Sequence, residues 1–227
     1  MTMNELHDAV RVLVDSNIQP VVIGELAQNY YNVPIILHEI ELCVPESQLP
    51  AAEQALVRSG LYARQPRGEP NIYTEYKTTS PTFRYLPAPD IPVVLFSDRG
   101  LGHLLIVLEP SDHDEKAAYS QQIDYLAHRD VVGLPIPRLG PYVQLLDALF
   151  QKTGDGMFQM KLEQLVDAMD LDMRWYQVNL AGKPYTDTLR DLIDTKHLRV
   201  DQFSGSTMTL INLMSAADLR RIPGASN

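Results

Sequence analysis

Val21-Val22-Ile23-Gly24-Glu25-Leu26-Ala27 and, a few residues on, Ile35-Ile36-Leu37-His38-Glu39-Ile40-Glu41-Leu42-Cys43-Val44 decide the architecture. Pro20 opens a β-branched run that Gly24 ends, which predicts a buried strand over 21–23, a tight turn and a helix over 25–31. Asn32-Val33-Pro34 interrupts the chain, and a second strand comes next over 35–44 until Pro45 stops it. Side chains alternate faces along a strand. Ile40, Leu42 and Val44 therefore face the core, and Glu39, Glu41 and Cys43 face the other way. Two carboxylates two residues apart lie roughly 6.5–7 Å apart at Cα. From there their oxygens converge on one or two divalent cations. The strand–Gly–helix unit upstream turns backbone N–H groups toward an anion.

Residues 3–16 place Leu6, Val10, Leu13 and Val14 on one face of an amphipathic helix. Residues 48–59 predict another helix, with Gly60 just past its end. The proline- and tyrosine-rich stretch 62–90 predicts short strands at 71–77 and 82–86, and 92–97 a further apolar strand. Residues 103–108 fit strand or helix, 111–115 open a helix over 116–128, and 131–137 are extended. From Pro141 the chain turns helical, over 141–152, 157–169, 171–179 and 185–194. Residues 195–227 fit either a strand at 207–213 or a helix. The expected fold class is α/β in the α+β sense: a mixed, twisted sheet with flanking helices and a helical C-terminal part. Its expected division is a core over 1–138 and a mainly helical part over 139–227, packed as two parts or as one domain.

The chain has 227 residues, 45% of them hydrophobic, enough for a substantial core. A formal charge of −10 repels phosphodiester backbones and argues against a nucleic-acid partner. The single Cys43 excludes an internal disulfide and a zinc site built on several cysteines. The acidic start MTMNELHD has no apolar run, and no apolar stretch is long enough to span a bilayer. The expectation is a soluble, cytoplasmic protein with no membrane partner; the oligomeric state stays open. There is no P-loop, G-x-S-x-G, H-E-x-x-H or G-x-G-x-x-G motif.

Gly24-Glu25-Leu26-Ala27 with His38-Glu39-Ile40-Glu41-Leu42 downstream resembles the nucleotidyltransferase superfold, especially its minimal, antitoxin-like and aminoglycoside-modifying branches. It is similar to a fungal group of that type. Val132-Gly133-Leu134-Pro135-Ile136-Pro137-Arg138-Leu139 resembles the family's strand that leads into a helix beside the catalytic sheet. The resemblance implies a mixed sheet, Mg²⁺ held by Glu39 and Glu41, and a nucleoside triphosphate at Gly24. The departures are as informative. Glu25 stands where the family has Gly or Ser, and a carboxylate there repels phosphate. Ile35 stands where Arg is common, and Glu39 and Glu41 replace an aspartate pair. The third acid is missing from 91–96, leaving Asp90 and Asp98 at its ends.

The preferred reading is thus a degenerate nucleotide site, reused to bind and transform an organic small molecule with no cofactor. The reaction expected is a cyclisation, isomerisation or proton transfer in secondary metabolism. Glu25, Glu39 and Glu41 are the expected catalytic residues, with a carboxyl pKa raised by their mutual repulsion. Gly24, His38 and Asp98 are the expected substrate contacts, His38 turning away from Glu39 by alternation. The alternatives are a metal-dependent nucleotidyltransferase using Mg²⁺ and a nucleoside triphosphate, with Glu39 and Glu41 as metal ligands, and a non-catalytic, antitoxin-like binding protein. Cys43 reads as a buried small hydrophobe, and His103 and His113 have no partner at metal-ligand spacing.

Overall fold

A computed structural model describes residues 3–66, 77, 79–88, 91–99, 106–109 and 128–198. Helix α1 (Asn4–Asp15) precedes strand β1 (Val21–Ile23), which runs directly into α2 (Gly24–Tyr30). Strand β2 (Ile40–Val44) leads through a 3-10 turn at Glu46–Gln48 into α3 (Leu49–Arg58). Strands β3 (Tyr62–Gln65), β4 (Thr82–Tyr85) and β5 (Val93–Ser97) complete the sheet. The helical turn α4 (His128–Val131) precedes α5 (Leu139–Thr153), α6 (Gly156–Ala168), α7 (Met173–Asn179) and α8 (Asp187–Asp194).

Among the described residues five strands lie in the order β1-β2-β5-β4-β3. β1 pairs antiparallel with β2, β2 parallel with β5, and β5, β4 and β3 antiparallel in turn. The expected mixed sheet with flanking helices is therefore what forms. A parallel pair needs both faces covered, and all five residues of β2 are buried. α1 packs on α3, α3 on β3 and β5, and α5 on α6 and α8. Leu6, Leu42, Leu56, Val143, Leu162 and Leu189 all belong to one buried apolar cluster.

Strand β2 begins at Ile40, five residues later than expected. Its partners set that limit: β1 ends at Ile23, opposite Glu41, and β5 begins at Val93, opposite Ile40. Among the described residues there is no strand for 35–39 to pair with, and Ile36 is 75% exposed. The extended piece expected over 131–137 is also modified, because Val131 closes the α4 turn. Its later residues do reach the sheet, where Val22 N–H donates to the Pro135 carbonyl at 2.9 Å. β3 was not expected; its residues alternate poorly, and pairing with β4 makes the strand. The expected elements at 71–76 and 116–127, residues 199–227, Asp90, His103 and His113 lie outside the described residues.

The C-terminal helices form near their expected bounds because each has a defined end. Gly154, at φ +69°, caps α5 through its N–H to the Phe150 carbonyl. Asp155 and Asp172 accept hydrogen bonds from Met157 N and Trp175 N at the starts of α6 and α7. Buried Asp147 of α5 accepts from Leu189 N at 2.9 Å, tying the first turn of α8 to the bundle.

Candidate functional site

Gly24 sits at the start of α2 with φ +67°, a left-handed conformation natural to glycine. A β-carbon placed on it would overlap the Glu41 carboxylate. The turn and the acid are thus packed against one another, and Tyr142 of α5 closes the unit by donating its hydroxyl to the Gly24 carbonyl at 3.2 Å.

Glu41 is 2% exposed, so it has to be compensated. The compensation comes from Lys77, whose ammonium contacts the Glu41 carboxylate and lies 2.7 Å from Glu39 Oε2. Burial alone would pull the Lys77 pKa down. The attraction of Glu41 and the hydrogen bonds that Lys77 donates to Glu39 and Glu41 outweigh it and hold that pKa above the usual lysine value. Lys77 therefore meets the acid repulsion expected from the sequence.

A cavity of about 730 Å³ opens beside this cluster, between β2, β5, α5 and α6. Glu41, Cys43 and Asp98 form part of its sheet wall, and Leu146, Phe158 and Lys161 part of its helical wall. Cys43 is buried as expected, and its thiol is pushed up to about 12 by burial and then by Asp98. Asp98 also accepts a hydrogen bond from Glu46 N at 3.0 Å. Lys161 is 5% exposed. Burial holds its pKa below the usual lysine value, against the pull of Glu41.

Gly24, Glu41 and Asp98 thus come together on one cavity, and Glu39 joins them through Lys77. Glu25 and His38 are outside the cavity lining. The Glu25 carboxylate accepts from the backbone N–H of His38 at 2.6 Å and of Glu39 at 3.4 Å, and lies 3.0 Å from His38 Nδ1. Glu25 thereby takes up backbone donors that no strand satisfies. The His38 side chain is 67% exposed, so it belongs to the surface and not to the core.

The resemblance implies Mg²⁺ at Glu39 and Glu41. Mg²⁺ demands near-octahedral oxygen ligands at about 2.0–2.1 Å. An ammonium already lies against both carboxylates. Among the described residues no group of three or more His, Cys, Asp or Glu is arranged to hold a metal. The residues as placed do not fit the ion.

Sequence reasoning missed Lys77 and Lys161. Lys77 has no local signal, standing in a proline-rich stretch 36 residues from Glu41. Lys161 has one: it shares a helical face with Phe158, Leu162 and Leu165, where an apolar residue would be ordinary.

No family model matches the chain, and no curated protein matches it. Among solved structures it is similar to the antibiotic-resistance factor ANT(2'')-Ia, studied in solution. The TM-score is 0.39 at 10% identity, covering 90% of this chain and 97% of that one. That neighbour is an aminoglycoside nucleotidyltransferase. A likeness this distant carries no argument about chemistry. Among the described residues no helix is long and apolar enough to cross a membrane.

Proposed function

We propose that the cavity beside Gly24 and Glu41 binds an organic small molecule and moves a proton on it without nucleotide or metal. The reaction would be an isomerisation or cyclisation of the kind used in secondary metabolism. The observation that carries this reading is the Lys77 ammonium shared by Glu39 and Glu41. It puts a single fixed charge where the resemblance implies a divalent ion. The cavity volume falls in the range of about 300–1,000 Å³ usual for small-molecule sites. Its walls combine apolar side chains such as Leu146 and Phe158 with charged and hydroxyl groups, Glu41, Asp98 and Lys161 among them, that can orient a ligand. On this reading Glu41, Asp98 and Lys161 meet the ligand. Glu39 acts through Lys77, and Glu25 positions residues 38 and 39.

A metal-dependent transferase is the second reading, favoured by Arg99, Lys152 and Lys161, which give the cavity wall cations able to face phosphate. Thermal unfolding separates the two. Millimolar Mg²⁺ with ATP, CTP, GTP or UTP is expected to leave the midpoint unchanged. A ligand at a hundred times its dissociation constant adds about 2.7 kcal/mol, a shift of several degrees for a chain of this size. A shift that requires metal and nucleotide together overturns the proposal.

A further inference from the structure

We infer that Lys161 is a covalent anchor, whose Nζ condenses with the carbonyl carbon of an aldehyde or ketone held in the cavity. This rests on the reading of the cavity as a small-molecule site and names the substrate class for it. The chain has six lysines. Lys152 and Lys183 are exposed, as lysines normally are. Lys161 instead lies on the apolar face of α6, 5% exposed beside Phe158 at 7% and Leu162 and Leu165 at 0%. Leucine or methionine would fill that position without the cost of a buried amine.

Two features favour the neutral, nucleophilic amine. Burial disfavours the ammonium form, and the neighbouring positive charge of Lys77 acts in the same direction. Lys161 is buried and yet lines the 730 Å³ cavity.

The step balances without an oxidant or reductant. The Nζ lone pair forms the C–N bond while the carbonyl π pair moves to oxygen, which takes a proton. The proton that the oxygen takes comes from the nitrogen, which gives the neutral carbinolamine. A second proton on the hydroxyl lets it leave as water: the C–O bond breaks, the nitrogen lone pair closes the C=N bond, and the nitrogen sheds its second proton. Reprotonated, the imine nitrogen withdraws electrons and loosens a proton on the α-carbon. Asp98 and Asp155, lining the same cavity, are carboxylates available to receive it. Returned to a different carbon of the conjugated enamine, that proton completes the rearrangement, and hydrolysis of the new imine releases the amine and the rearranged carbonyl compound.

The probe is 2,4-pentanedione, added to the whole protein. It condenses with neutral lysine amines, with loss of water, to an enaminone stable enough for peptide mapping by mass spectrometry. Lys161 is expected to be modified at least about tenfold faster than Lys152 or Lys183. The fast adduct is expected to vanish in Lys161→Met, with folding checked by circular dichroism. Modification of Lys161 no faster than the exposed lysines overturns the inference, and that comparison needs only the wild-type chain if the variant does not fold. The nucleotide titration above is the separate control. A slow Lys161 with no Mg²⁺-nucleotide stabilisation defeats the anchor alone, whereas Mg²⁺-nucleotide stabilisation defeats the small-molecule reading beneath it.

Discussion

Gly24 meets two constraints at once, a left-handed backbone and contact with a buried carboxylate. Alanine in the left-handed region costs roughly 1–2 kcal/mol, and its methyl would push Glu41 away from Lys77. Gly24→Ala is therefore expected to destabilise the protein by more than about 2 kcal/mol, measured by urea unfolding. Lys77 gives a pH signature. Its folded pKa lies above the reference value of 10.5. Its contribution is therefore fully present below that value and lost as pH rises through the folded pKa. The stability gap between wild type and Lys77→Met should hold constant from neutral pH until about 10 and shrink only beyond it. A gap already shrinking at pH about 8 would contradict the pairing. At this scale alternation was enough to find Glu41 and Cys43. It did not find the cation between the acids, since a loop lysine far away in sequence leaves no periodic trace.

Strand β2 was legible as an element because its apolar residues alternate with acids, and its length was not, because strand length depends on partners. Ile40, Leu42 and Val44 are buried as expected. Glu41 and Cys43 are buried too, since α5 and α6 cover the second face. Leu42, fully buried between two paired neighbours, is the best probe of this element. Leu42→Ala is expected to cost about 2–5 kcal/mol in equilibrium denaturation. A cost below about 1 kcal/mol would show that β2 is not part of the cooperative core. The helices after residue 139 were read nearly to their ends because caps and 3.6-residue periodicity are local properties.

The site exists only in the assembled molecule. Glu41 from β2, Lys77 from the segment before β4, Tyr142 from α5 and Lys161 from α6 come from four separate stretches of chain. No local pattern in any one of them announces the others, which is why the acids were visible in the sequence and the two lysines were not. Assembly of this kind has a kinetic consequence. Contacts between residues far apart in sequence carry a large loop-closure entropy and tend to form late in folding. Interactions absent from the folding transition state act on the unfolding rate. Glu41→Gln, which leaves Lys77 without its buried partner charge, should cost about 3 kcal/mol or more. That cost should appear as unfolding faster by about a hundredfold, with the refolding rate nearly unchanged, in stopped-flow measurements across denaturant. The charge cluster would then act as the molecule's clock, setting how long the folded chain persists before it opens.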